Sequence, residues 1–364
     1  MAMTRRTFTA AAMAGAAGAL SPRAALASGE WSALLTVPYK GKQDDIAFID
    51  AEQGWYGNGA GLLYKTTDGG LSWIEVWNRP GTFIRALGFL DAQNGFLGNV
   101  GTGYYPGVTD ETPLYRTRDG GATWTPVAAE GLGAVKGICG IDILRTRRIF
   151  QGEMHETAII HAAGRVGGPA AILRSEDGGE TFRVIDLSAE AGMILDVKFL
   201  TPETGFVCAS GVSETGEGEA VILRTTDAGA TWAPVYKSGR RLENCWKMSF
   251  PSPRVGYATV QSYDETNPQR VIVKTTNGGK SWKELPLTDA PKMQAFGVGF
   301  ADEKRGWVGC AGGGFETTDG GKTWRESAIG RAVNKIRILP NGAGRRAFAI
   351  GVEVLNLIAR GRAA

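Results

Sequence analysis

One eight-residue string occurs six times in this chain, and that recurrence limits the possible folds more than any other feature. The copies are TTDGGLSW from Thr66, TRDGGATW from Thr117, SEDGGETF from Ser175, TTDAGATW from Thr225, TTNGGKSW from Thr275 and TTDGGKTW from Thr317. Their acidic positions, Asp68, Asp119, Asp177, Asp227, Asn277 and Asp319, lie 51, 58, 50, 50 and 42 residues apart. A near-constant period of that size is the mark of a repeat architecture. The residue types give the role of each copy. An Asp side chain bonds backbone N–H groups just ahead of it, Gly supplies positive φ, and flanking hydroxyls cap more weakly. Each box therefore closes a β-turn. The aromatic that ends it (Trp73, Trp124, Phe182, Trp232, Trp282 or Trp324) is large enough to anchor the turn by packing against a neighbouring sheet. A metal or phosphate role fits poorly, because Asn277 lacks the charge that a cation site would want.

A second element precedes the boxes: DIAFIDAEQGWYG, LGFLDAQNGFLG, VKFLTPETGFVC, MSFPSPRVGYA and VGFADEKRGWVG. Each reads as a short apolar strand, a polar turn, then Gly and an aromatic opening a second strand. A third strand such as LLYKT, LYRT, AILRS, VILRT or VIVKT leads into the box, and a fourth follows it. Four antiparallel strands in roughly 50 residues make a propeller blade. The C-terminal run VNKIRILPNGAGRRAFAIGVEVLNLIAR supplies three strands and no box, while Glu30–Val37 resembles a fourth strand. Pairing the two termini in one blade gives an all-β, seven-bladed propeller over residues 28–364, with no open sheet edge at the seam. Blade three departs from the pattern: GIDILRTRRIFQG lacks the Gly–aromatic pair, and residues 154–170 read as a long connection.

The first 27 residues, with Arg5-Arg6 before Thr7-Phe8, an Ala/Gly-rich run and a small-x-small end at Ala25–Ala27, read as a cleavable twin-arginine leader. The expected location is the periplasm, reached in folded form. Removing the leader takes the formal count from 40 basic and 37 acidic residues to 37 of each. A neutral chain has no compositional support for a nucleic-acid role, and no later apolar run is long enough to span a membrane. Cys139, Cys208, Cys245 and Cys310 show no metal-type spacing. The repeat puts Cys208 and Cys310 in similar strands of non-adjacent blades, which argues against that pairing.

Boxes and Gly–aromatic strands together, repeated along essentially all of residues 30–360, resemble the photosystem II stability/assembly factor family. The boxes alone are less specific; this Asp-box (BNR) repeat is shared with sialidases, other glycoside hydrolases and sorting receptors. The resemblance implies a binding propeller without chemistry of its own that escorts a membrane-protein assembly intermediate. Its expected partner is a protein or peptide, with no cofactor and no metal, and a monomer is expected.

Box turns and the turns between first and second strands share one face of the ring. The opposite face carries the loops between second and third strands and those between blades, where a compact repeat keeps its specificity. Candidate partner-binding residues are Arg79, Arg85, Tyr104, Tyr105, Lys136, Arg240, Arg241, Tyr263, Arg331 and Lys335. Aligning the first strands puts Asp45, Asp142, Asp196, Lys198, Lys247 and Arg337 around the central channel, as candidates for contact with a ligand there. A carbohydrate-active hydrolase is the alternative, since Asp110, Glu111, Glu156, Glu217 and Asp264 read onto the loop face and a glycosidase needs two suitably spaced carboxylates. The arginine trio and Tyr–Glu pair of sialidases are not recognisable. His155 and His161 lack companion ligands, and no GxGxxG opens a helix.

Overall fold

The computed structural model describes residues 31–150, 153–213, 218–339 and 344–360; the expected leader and Glu217 lie outside them. Seven four-stranded antiparallel sheets form the ring. Blade one has strands Gln43–Phe48, Gly54–Asn58, Leu62–Thr66 and Ile74–Asn78. The first strands of blades two to seven are Ile84–Phe89, Gly140–Phe150, Met193–Phe199, Glu243–Ser249, Ala295–Phe300 and Lys335–Leu339. The ring closes as expected, Ser32 pairing Asn356 and Ala33 pairing Leu355, but the closing strand is two residues long rather than spanning 30–37. Trp31 adds an edge-on contact to Trp307 at 5.5 Å. Among the described residues no helix is long and apolar enough to cross a membrane.

The boxes are built as their composition dictates. In the first, the Thr66 hydroxyl donates to Asp68 Oδ1 (2.7 Å) and accepts from the Gly70 N–H (2.8 Å), while Asp68 accepts the N–H and hydroxyl of Ser72. Asn277 keeps this geometry, accepting the N–H of Ser281 and donating to its hydroxyl at 2.9 Å. The charge is therefore dispensable to the turn.

The Gly–aromatic pair has an equally plain reason. A Cβ on Gly54, Gly95, Gly205, Gly256 or Gly306 would come within 2.3–2.6 Å of the ring of Phe48, Phe89, Phe199, Phe250 or Phe300. With glycine there, that Phe, at or just past the end of the first strand, lies flat on an aromatic of the blade before it. Trp55 stacks on Phe89 at 3.6 Å, Phe206 on Phe250 at 5.0 Å, Tyr257 on Phe300 at 3.5 Å and Phe348 on Phe48 at 4.1 Å. The box aromatic then meets the Phe edge-on, as Trp124 does Phe89 and Trp324 does Phe300. A third-strand cation covers the second-strand ring, Lys65 over Trp55 and Lys274 over Tyr257 among them. Flat and edge-on contacts each add about 0.5–1.5 kcal/mol to the buried area, and the ring repeats them from blade to blade.

Blade three corrects the sequence reading. Gly140–Phe150 and Glu153–Ala163 pair without interruption from Gly140↔Ala163 to Phe150↔Glu153, so residues 154–163 are strand and only 164–170 connect. The pair replaces the Gly–aromatic motif with Ile160-His161. His161, fully buried, stacks on Phe199 at 3.6 Å and 1°, standing where other blades place Trp, Phe or Tyr. Only four residues of the second strand pair with the third, Ile160–Ala163, so the rest of the hairpin runs beyond the blade on the box-turn side.

Candidate channel-mouth site

The first strands carry an irregularity that their sequence conceals. In five blades the pairing with the second strand slips, between Gln43 and Asp45, Ile84 and Ala86, Ile194 and Asp196, Cys245 and Met248, and Ala295 and Val298. A β-bulge of this kind turns a side chain out of the strand's alternation. The residues inserted are Asp44, Arg85, Leu195, Trp246 and Phe296. They meet at the loop-face mouth of the channel, where Leu195, Trp246 and Phe296 share a cluster with Cys139, Phe83 and Tyr105.

The long loop after Asn99 lies across this mouth. Tyr105 stacks on Phe83 at 4.6 Å and Tyr104 meets Tyr105 edge-on at 4.8 Å. Arg165 ties the loop to blade three, donating to Val100 and Thr102 carbonyls and to Gly168. Trp246 and Phe296 complete the aromatic lining at 5.9 Å, and burial pushes the hydroxyls of Tyr105 and Tyr263 well above the usual phenol range. Two cations enter it. Arg85 lies over the Trp246 ring at 5.6 Å and pairs with Asp44. Lys42 stands 5.7 Å over Phe296 and, among the described residues, makes no ion pair; burial and nearby Arg85 pull its ammonium down to about 8. The indole N–H of Trp246 is buried without a partner. The mouth thus brings together rings, an ammonium without an ion pair among the described residues and, beneath them, a buried indole N–H.

The predicted partner residues divide around this site. Arg85, Tyr104, Tyr105 and Tyr263 come together at the mouth. Two are not surface groups: Arg85 is 1% exposed and Lys335 3% exposed, because both sit on first strands rather than on inter-blade loops. Arg79 pairs with Asp110 at 3.4 Å, and Arg331 with Glu353 at 2.7 Å. Arg240 is held by Glu243 and Glu284, with the exposed Arg241 beside it. Lys136 is exposed in a separate groove of about 630 Å³ between Pro113, Val127 and Leu132.

The channel candidates lie on the first strands and act as clamps between blades. Asp45 accepts the Leu87 N–H at 2.8 Å, Asp142 that of Phe199 at 2.8 Å and Asp196 that of Met248 at 3.0 Å, each reaching the next first strand. Each is also ion-paired: Asp45 with Lys335 (2.6 Å) and Arg337 (3.0 Å), Asp142 with Lys198 (2.7 Å), Asp196 with Lys247 (3.4 Å). Their lone pairs are committed to holding the ring.

The carboxylates read onto the loop face also separate. Asp110 fastens its own loop by accepting from Thr82 (2.5 Å) and Tyr115 (2.7 Å), and Asp264 caps Thr266. Glu156 belongs to the long hairpin on the box-turn side, paired with Arg147 at 2.8 Å. There it lines an opening of about 510 Å³ with Arg116, Arg118 and Arg145. The sequence reading missed these arginines because it placed the hairpin in a loop.

No family model matches the chain. A solved structure of YCF48 bound to D1 peptide superimposes over 94% of this chain and 99% of that one, with TM-score 0.63 and 18% identity. YCF48 from Cyanidioschyzon merolae covers 91% and 98%, with TM-score 0.59 and 17% identity. An ancestral GH74 enzyme matches 90% of this chain and 45% of its own length, with TM-score 0.61 and 13% identity. By sequence, the xyloglucanase Xgh74A of Acetivibrio thermocellus is 23% identical over 250 residues, 58% of this chain, which spans 27% of that protein's length. The chain therefore shares its propeller fold with YCF48 and with a GH74 enzyme.

Proposed function

We propose that this chain is a non-catalytic binding propeller that holds a segment of a partner protein at the mouth of its channel, in support of the assembly or stability of a membrane or exported complex. The observation that carries this reading is the convergence of Phe83, Tyr104, Tyr105, Trp246 and Phe296 with the ammonium of Lys42, which has no ion pair among the described residues. Aromatic side chains are the usual anchors of a protein contact, and an ammonium beside them offers a counter-charge to a carboxylate on the partner. Such a mouth suits an extended segment carrying an apolar or aromatic residue next to a carboxylate. YCF48, of like fold, has been captured with a peptide, which supports the class of ligand. The chain does its work in the periplasm, exported folded behind its twin-arginine leader.

The committed carboxylates favour this over hydrolysis, because Asp110, Asp142 and Asp196 already spend their oxygens on backbone N–H groups and cations. The test is cross-linked recovery from solubilised membranes with the full chain, beside Lys42→Glu and Tyr105→Ala variants, and xyloglucan hydrolysis assayed in parallel. One complex lost on both substitutions, with no sugar released, is the expected result. Turnover of xyloglucan, or recovery indifferent to both variants, refutes it.

A further inference from the structure

We propose that Cys208 and Cys245 form a disulfide that pins blade four to blade five. Cys208 lies on the second strand of blade four, Gly205–Ser210, and Cys245 on the first strand of blade five, immediately before its bulge. Their sulfurs are 3.0 Å apart and both side chains are fully buried. They share one apolar cluster with Phe206, Ile222, Met248 and Val260. A disulfide is about 2.0 Å long, so closure asks for about one ångström of side-chain movement between strands already in contact. The other two cysteines have no such neighbour in their clusters: Cys139 lies at the channel mouth and Cys310 in the core between blades five and six.

The chemistry is thiol–disulfide exchange with an external disulfide, either a dithiol oxidoreductase in its oxidised form or oxidised glutathione. One cysteine thiolate attacks a sulfur of that reagent, forming a mixed disulfide and expelling the first reagent thiol. The second cysteine thiolate then attacks the protein sulfur of the mixed disulfide and expels the second thiol. The protein loses two protons and two electrons, and the reagent gains them. Burial raises the Cys208 thiol, so thiolate is scarce once the seam is closed and exchange belongs to its open state. After closure the bond is shielded from reductants by the same packing. This inference rests on the two sulfurs alone and is independent of what binds at the mouth.

The full chain is incubated with oxidised glutathione in sub-denaturing urea, which lets blades open and close. It is then acid-quenched, alkylated under denaturing conditions and digested with trypsin. The expected product is peptide 199–224 joined to peptide 242–247, with alkyl label only on Cys139 and Cys310; reduction restores four labelled cysteines. The oxidised wild type also melts at higher temperature than its reduced form, a difference that Cys208→Ser abolishes. Four labelled cysteines after the oxidative treatment, a glutathione adduct that persists on Cys208 or Cys245, or a cross-link through Cys139 or Cys310 would each overturn the proposal.

Discussion

Replacing His161 with Phe should remove a defined part of this protein's acid sensitivity. His161 is fully buried, stacked on Phe199, and its Nε2 lies 2.6 Å from Nη1 of Arg174. Burial, reinforced by Arg174, pulls its pKa down to about 2, against about 6.5 in an unfolded chain. The imidazole is therefore neutral in the fold, and the unfolded state alone takes up a proton as pH falls below 6.5. Stability from this residue is complete above pH 6.5 and declines on acidification until the folded form itself titrates. At about 1.36 kcal/mol per pH unit, the loss relative to pH 7.5 is about 1.4 kcal/mol at pH 5.5 and about 2.7 kcal/mol at pH 4.5. Phe at this position restores the residue type of the other blades and keeps a ring stacked on Phe199, whose face the Arg174 cation covers. The assay is urea unfolding of wild type and H161F at half-unit steps from pH 4.5 to 7.5. The difference between the two free energies should grow steadily below pH 6.5. A difference that stays flat would refute the buried, neutral histidine.

The seam clamp gives a second prediction. Asp45→Ala strands the Lys335 ammonium and the Leu87 N–H, and losing one partner of a buried ion pair costs about 3–5 kcal/mol, measurable as a lowered urea midpoint. Burial draws Lys335 down to about 7 against the raising effect of Asp45, so the penalty should shrink as pH rises and the stranded amine deprotonates. Gly205→Ala sets a Cβ 2.5 Å from the Phe199 ring, held between His161 and Trp232; overpacking of this kind costs about 1–3 kcal/mol, read from thermal melts. In the boxes, hydrogen bonds from Thr123 and Thr231 hold Asp119 and Asp227 down at about 2. Their contribution is present above the unfolded carboxyl range and is lost as pH falls from about 4 toward 2. Asn277→Asp should leave the fold intact at neutral pH, seen as an unchanged melting curve, and extend the acid-labile behaviour to blade five.

Much of the architecture was legible because its determinants are local. A box turn needs a hydroxyl, an Asp and a glycine at fixed offsets, and a flat inter-blade stack needs Gly before an aromatic; both requirements are written consecutively, so seven blades and the paired termini could be counted. Blade three was misread for the same reason. Its Ile160-His161 serves the stack without either signature residue, and the strand around it looked like a loop. The mouth was only half visible. Tyr104, Tyr105 and Tyr263 stood out on their loops, whereas Asp44, Leu195, Trp246 and Phe296 are brought there by bulges, which break the two-residue alternation from which orientation is read. Arg85 and Lys335 were assigned to loops because the blade boundary was placed too late by a few residues. The acidic residues of the first strands could be picked out by aligning the repeats, but their bonding to the next blade depends on register across the seam, which no single segment encodes.

A partner polypeptide that seats on the channel mouth must pass within reach of Tyr104. This is tested most directly by site-specific photo-cross-linking in cells, with a benzophenone side chain at Tyr104 and, as the opposite-face control, at Lys322 in the last box. The expected result is a single strong adduct from position 104 with a membrane or exported protein, diminished by Lys42→Glu, and none from position 322. Adducts from 322 alone, or no adduct from 104 under conditions where the protein is abundant, would contradict it.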